Sequence, residues 1–561
     1  MSKSRSLVRF LGLAFVIALL LTLVVSGAGA QEGKVLVTGL NMVAGDPDNG
    51  LDPALSSTIQ SITILEQLYV GLSRLDEETV EVEPGISTWE FDEASRTFTF
   101  SIYPEISWVR WNGEAVEQVT DESGNVRYVT ANDFYYGIMR TLNPETASDY
   151  AYVLAPVIEG GNAYNSGEAG PEAVQVTVVD DLTLQITTVD TAAFNINILG
   201  LWMAFAQPQW AIDEFGDTWV EAENRQSYGP FVMSEWNHDS DITIVRNPFW
   251  AGTENIPAPA LDAVVFRLID DAAQFAEYQA GTMQAATVPS PEIERVKADA
   301  TLSEEYYAGF ESCSVYYGFN VEKEPFTNVN IRRAFSLAVD RESLMNDVTR
   351  DGRLPATFFT RPGVVAGPTP ETNADLGVSF DPEGAQAALE AGLAELGLGS
   401  IDELPEITLA YGDTEYNGLI AQAVQAMWEE TLGITVTLQP LDTTTYYDVQ
   451  QEDAAQIHRA GWCYDYPDAN SYLYDVFRTG ASANYPNFSN EEFDSLVNEA
   501  RTLSDPAERL ALYVRAEQIL VEEVAAIAPL YWHTTRQIVA PNVVRTFSQI
   551  GFERLENWDI Q

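Results

Sequence analysis

The chain has two cysteines, Cys313 and Cys463, 150 positions apart. It also opens with the pattern of a secretory leader. Lys3, Arg5 and Arg9 make a basic start, Phe10 to Val25 an apolar segment, and Ala28-Gly29-Ala30 a small-residue cleavage site, with Gln31 as the mature start. Export would put both thiols where disulfides persist. Pairing would oblige the fold to bring residue 313 beside residue 463, and loop closure would contribute up to about 5 kcal/mol. Two free thiols are one alternative. A metal site is another, but only His458 of the three histidines lies near a cysteine in sequence, too few ligands for tetrahedral zinc. For the leader, the alternative is a retained membrane anchor. No other apolar run approaches spanning length. No cysteine near the cleavage site offers a lipid anchor.

A chain of 561 residues is too long for one compact core and suggests about three to four domain-sized units. Hydrophobic content of 46% and aromatic content of 11% suit packed globular structure. With 29 basic and 84 acidic residues the formal charge is −55. That excludes ordinary nucleic-acid binding, which needs Lys and Arg to displace counterions, and disfavours an anionic membrane surface. It describes a solvated acidic surface of a kind suited to a salty medium; its field would also draw in cationic ligands.

The first half reads as strand-rich α+β. Phe98, Phe100 and Ile102 alternate with polar residues, as do Leu182, Leu184 and Ile186; Ile242, Ile244, Val264 and Phe266 continue the strands. Thr130 and Asp133 form a capping box, opening a helix through Phe134, Ile138 and Met139 that stops near Pro144. The second half is more regularly α/β. A strand at Ile407–Ala410, a helix from about Asn417 with Ile420, Val424 and Met427 on one face, and a strand through Ile434, Val436 and Leu438 make a crossover with a parallel pair. Asn490 caps a helix carrying Phe493, Leu496, Val497 and Ala500. Asp505-Pro506 opens another carrying Leu510, Val514 and Ile519.

Enzyme signatures are missing. There is no His-Glu-x-x-His, no Gly-x-Ser-x-Gly and no phosphate-cradling Gly-x-x-x-x-Gly-Lys. Asp46-Pro47-Asp48-Asn49-Gly50 only faintly resembles a calcium loop, with its glycine one position early and no closing glutamate, and reads as a turn. The expectation is a binding protein with no catalytic residue, cofactor or resident metal. The most chemical stretch is Arg459 to Asn470, which interleaves rings with one arginine and two carboxylates and has no helical period. It suits the wall of a ligand cleft. From the residues alone, the plainer reading is a strand end and turn that buries Trp462.

Several fragments, in order, resemble one family. They are Leu51-Asp52-Pro53 with Gln67 to Leu72, Trp108 to Val116 with Val129 to Phe134, Tyr228-Gly229-Pro230-Phe231, Arg246 to Trp250, and Ile331 to Asp340-Arg341. Together with Arg459-Ala460-Gly461-Trp462-Cys463-Tyr464-Asp465 they resemble the extracytoplasmic solute-binding proteins of ABC importers, in the oligopeptide/dipeptide-binding group (family 5). The resemblance implies an α/β, bilobed periplasmic-binding-protein fold (type II, cluster C) with an extra small domain and a two-segment hinge. Matching segments give a signal peptide at 1–30, domain I at 31–69, 209–312 and 534–561, domain II at 70–208, and domain III at 313–533.

The resemblance also implies roles. Cys463 would pair with Cys313, the start of a tyrosine-rich strand. Asp465 would receive a peptide's α-ammonium, and the backbones of Gly461 and Cys463 would pair with the peptide as an added strand. Trp462 would floor a side-chain pocket, Tyr150 would reach the peptide from the small domain, Ile59 would lend backbone hydrogen bonds from a loop, and Arg459 would face the ligand carboxylate. Asp468 and Asn470 match nothing and read as turn residues. A family tryptophan stands here as Thr443 and a family histidine as Asn417, which leaves carboxylate recognition and peptide length open. The implied protein is an exported, periplasmic or cell-surface monomer that closes two lobes over a peptide and delivers it to membrane permease subunits. Alternatives are another solute (a nickel chelate, an opine or an oligosaccharide) or a secreted hydrolase.

Overall fold

The computed structural model describes residues 33–42, 46–442, 445–446, 449–450 and 455–561. The leader at 1–30 lies outside them. Among the described residues no helix is long and apolar enough to cross a membrane.

Two large sheets organise the molecule. The first has seven strands in the order Phe231–Asn237, Asp241–Arg246, Ala263–Leu268, Val35–Leu40, Ala285–Thr287, Gln537–Val539 and Tyr306–Tyr307. The second has six: Leu354–Pro355, Ile527–Thr534, Phe310–Phe319, Ile457–Cys463, Thr408–Gly412 and Thr437–Leu441. The chain passes between them twice, at residues 308–309 and 535–536. A smaller antiparallel sheet (Ser87–Asp92, Thr97–Ile102, Thr183–Thr187, Val176–Asp180) packs with the first sheet into a shared core. The mixed α/β architecture expected from periodicity is present.

Local chemistry explains most element boundaries. Phe98, Phe100 and Ile102 point inward from Thr97–Ile102 while Thr99 and Ser101 do not. Asp133 accepts from the Thr130 N–H at 2.8 Å and opens helix Ala131–Leu142. Asp52 of the Leu51-Asp52-Pro53 fragment takes two bonds of 2.6 Å from Arg140 on that helix, which ties the opening segment to the smaller sheet's domain. Gly229 donates its N–H to the Leu68 carbonyl at 2.8 Å; a Cβ there would stand 2.6 Å from the Leu68 carbonyl carbon, so only glycine allows this approach.

The predicted crossover is present: Thr408–Gly412 and Thr437–Leu441 pair in parallel, linked by helix Glu415–Leu432, whose N-cap is Thr414. The second strand begins three residues later than the apolar run suggested. Ile434 and Val436 are buried in the connection instead, packing under the helix. Asn490 caps Glu491–Ala500 as expected.

Helix Pro506–Glu517 buries a different face from the predicted one. Leu510 and Val514 are only half-buried, while Arg509, Tyr513, Ala516 and Glu517 face inward. Glu517 accepts the backbone N–H groups of Phe359 and Thr360. Arg509 forms a bidentate pair with Asp468, at 2.7 and 2.6 Å, with both side chains 1% exposed. Asp468 is therefore no simple turn residue. It also caps helix Ala469–Phe477 through the Asn470 N–H. Asn470 is buried between the hydroxyls of Tyr466 and Tyr513.

A buried pair is costly to break because the surviving charge has no water. Asp468→Ala should therefore lower unfolding stability by about 3–5 kcal/mol in denaturant titration, and Asp468→Leu with Arg509→Met should recover much of it. A single-variant loss below about 1 kcal/mol, the range of exposed pairs, would contradict this.

Candidate functional site

The Arg459–Asn470 stretch starts as a strand inside the six-stranded sheet. Ile457–Cys463 pairs antiparallel with Phe310–Phe319 from Phe319↔Ile457 to Cys313↔Cys463. The two cysteines, directly opposite at the ladder's end, are joined in a disulfide with Cα atoms 3.9 Å apart.

The other edge of this strand is paired only at its start: Thr408–Gly412 reaches Ile457 and His458 and no further. The Arg459 carbonyl faces that side, accepting from Gln450 Nε2 at 2.6 Å and from the Tyr446 hydroxyl. Alternate residues of an antiparallel strand turn their backbone groups the same way. Gly461 and Cys463 therefore present N–H and C=O on an edge with no strand beside it among the described residues. Tyr464, one residue on, turns its N–H the opposite way, to the Ser312 carbonyl at 3.1 Å.

This edge runs into Asp465. Its carboxylate accepts from the Tyr152 hydroxyl at 3.0 Å and from Tyr150. Both tyrosines lie at the short helix Ala151–Leu154, 313 positions away from Asp465 in the case of Tyr152. Loss of water raises the Asp465 carboxyl to about 7, helped by the nearby Asp475 carboxylate, while the two tyrosine hydroxyls pull it back. Asp475 is itself raised to about 6, first by burial, and accepts from Tyr466 at 2.7 Å. Beside this contact Arg501 pairs with Asp190 at 2.8 Å, and Phe194 stacks on Tyr466 with ring centres 5.1 Å apart.

A cleft of about 740 Å³ opens here. Of the residues singled out in the sequence, Ile59, Tyr150, Cys463 and Asp465 line it, with Cys313. Ile59 is the first residue of helix Ile59–Leu68 rather than part of a loop, because Thr58 caps the helix one position earlier. Gly461, Trp462 and Arg459 are not on the lining. Trp462 is half-buried on the Phe359–Phe477 core, with Nε1 3.4 Å from Ser471 Oγ, so it packs rather than floors a pocket. The Arg459 guanidinium lies among the tyrosines Tyr531, Tyr446 and Tyr317. Asn417 donates to the Gly412 carbonyl at 2.9 Å; Thr443 lies outside the described residues.

Sequence reasoning missed Tyr152, two positions from Tyr150, whose hydroxyl also donates to Asp465. Nor did it name Thr535, Arg536 and Gln537, at the second crossing, which all line the cleft. No group of three or more His, Cys, Asp or Glu side chains able to hold a metal occurs among the described residues.

Residues 81–484 match the model of bacterial extracellular solute-binding proteins, family 5 (middle region). The chain belongs to this family. The solute-binding protein is 29% identical over 532 residues to the oligopeptide-binding protein OppA of Bacillus subtilis, covering 92% of this chain and 91% of the relative. It is 30% identical over 519 residues to the periplasmic murein peptide-binding protein MppA of Escherichia coli, covering 92% and 91%. Its fold superposes on MppA, a murein tripeptide binding protein solved in an unliganded open form, with a TM-score of 0.76 at 26% identity, over 95% of this chain and 99% of that one.

Tyr152 donates to the ionised form of Asp465, so losing that donor favours the neutral acid. Tyr152→Phe should move the Asp465 titration, followed by carboxyl ¹³C shifts, above about 7. A midpoint that stays or falls would show that the tyrosine does not hold the carboxylate.

Proposed function

We propose that this protein is the substrate-binding component of an ABC importer and that its ligand is a peptide. The observation that carries this is the unpaired edge at Gly461 and Cys463, which ends on a desolvated carboxylate, Asp465. An extended peptide could add to that edge by main-chain hydrogen bonds, which are indifferent to its sequence. Its α-ammonium would then meet Asp465, and a charge-assisted bond of this kind contributes ~1.5–3 kcal/mol. The relatives' names, an oligopeptide-binding and a murein peptide-binding protein, support the same ligand class.

The mechanism is closure. Domain I (31–69, 209–312, 534–561) and domain II (70–208) would move against domain III (313–533), with the crossings at 308–309 and 535–536 as the hinge; residues 310–312 and Thr534 lie in the six-stranded sheet and so would go with domain III. A ligand shifts the open–closed equilibrium only by its differential affinity for the closed form. Asp465 on one side and Tyr150 and Tyr152 on the other supply that difference. The closed form would dock on the membrane permease after export, and no step of this cycle requires catalysis or a cofactor.

A bound ammonium requires Asp465 ionised, whereas in the free protein it titrates near 7. Below that pH, binding must expel a proton, so affinity falls with falling pH, by about tenfold one unit below the midpoint. Calorimetry across pH 5.5–8 should show this slope, and Asp465→Asn should flatten it while weakening peptides by roughly tenfold or more. N-acetylated peptides should bind the native protein poorly. Mass spectrometry of ligand retained by the purified protein gives an independent check: a sugar or metal chelate there, or equal binding of acetylated peptides, would end this reading.

A further inference from the structure

Beneath the cleft lies a second cavity of about 140 Å³. Strand residues Thr38–Leu40 and Ala285–Thr287, Thr63 of helix Ile59–Leu68, and the segment around Glu553 wall it. Five residues, Thr287, Thr535, Gln537, Gly551 and Phe552, line both this cavity and the cleft. Its volume would hold about five waters at ~30 Å³ each, more than solvating a single group requires.

The charged group on its wall is Glu553. Gln537 Nε2 donates to Oε1 at 2.9 Å, while Oε2 is buried and accepts no hydrogen bond. The Arg545 guanidinium, the Glu77 carboxylate, the Gln537 amide and the Ser548 backbone N–H are the groups that act on it. Arg545 donates to Gln537 Oε1 and lies over the rings of Phe547 and Tyr307. The other arginines nearby are committed: Arg554 to Glu66, and Arg74 to Glu556 and Glu83. Glu77 is served by Thr546, Asn557 and the Arg554 N–H. Five carboxylates (Glu66, Glu77, Glu83, Glu553, Glu556) thus face three guanidiniums; Glu553 and Glu556 each keep a buried oxygen with no hydrogen bond, and of these two only Glu553 borders the cavity.

We propose that this cavity is a side pocket of the cleft that takes a cationic, lysine-type side chain of the ligand, with Glu553 Oε2 as its charge partner and Gln537 at the mouth. The proposal rests on the peptide reading above and adds a preference to it. Burial raises the Glu553 carboxyl to about 7 even though the Arg545 guanidinium pulls it down, so the one nearby cation does not offset the loss of water. An arriving ammonium would supply a hydrogen bond to Oε2 and a second positive charge.

The test is calorimetry of the mature protein with trialanine and with tripeptides carrying lysine or its uncharged isostere norleucine at each position. Lysine should bind about tenfold tighter than norleucine at one position, the scale of one charge-assisted bond. Glu553→Gln should remove that preference, and Thr63→Met, which fills the cavity from the helix side, should remove it as well; neither should change trialanine affinity. Equal binding of lysine and norleucine at every position, or a preference that survives both variants, overturns the pocket. If no peptide binds at all, the peptide reading has failed and the pocket is judged alone with n-butylammonium. A rise in Tm that Glu553→Gln abolishes supports it, and no rise in the native protein overturns it.

Discussion

The antiparallel ladder between Phe310–Phe319 and Ile457–Cys463 is the constraint on which the rest depends. One strand begins just after the first crossing between sheets; the other lies 150 residues later, and the Cys313–Cys463 bond fixes their ends together. Because Thr408–Gly412 stops short, the ladder leaves Gly461 and Cys463 with a free edge. Because the chain then turns into a helix capped by Asp468, Asp465 is left at the cleft wall. The buried Asp468–Arg509 pair holds that turn against helix Pro506–Glu517. Sheet, staple and ion pair therefore act in series to position one carboxylate.

Much of this was legible in the sequence. Strands with one buried face announced themselves by alternation, as at Phe98–Ile102, and helix starts by their caps, as at Thr130 and Asn490. The family resemblance supplied the disulfide and pointed to Asp465. What stayed hidden was burial of polar groups. A hydrophobic period selects Leu510 and Val514, but helix Pro506–Glu517 turns Arg509 and Glu517 inward because each finds partners on distant segments. Asp468 and Asn470 looked like turn residues for the same reason. Ile434 and Val436 look like strand because burial in a connection and burial in a sheet leave the same apolar trace. Trp462 and Tyr152 show the complementary limit: residue type suggested a role in the site for Trp462, which packs on a core, and none for Tyr152, which reaches Asp465, because backbone direction at two remote places decides which ring meets the carboxylate.

The contacts across the cleft are not confined to its lining. Asp190–Arg501 and Phe194–Tyr466 join the same two regions that Tyr152–Asp465 joins, but behind the cleft. The charge and rings placed there join those regions without any contribution from a ligand. The chain as a whole carries a formal charge of −55, so this arginine–aspartate pair forms in a molecule whose overall field attracts cations.

The free edge has a further consequence. Unpaired strand edges are templates for joining one chain to another. Here the unpaired stretch spans only Gly461 to Cys463, and it ends where the Tyr150 and Tyr152 hydroxyls meet Asp465. A very short edge is one of the ways folded proteins blunt this hazard. The same brevity that leaves a few backbone groups open therefore also limits how far a second copy of this chain could extend a sheet from them.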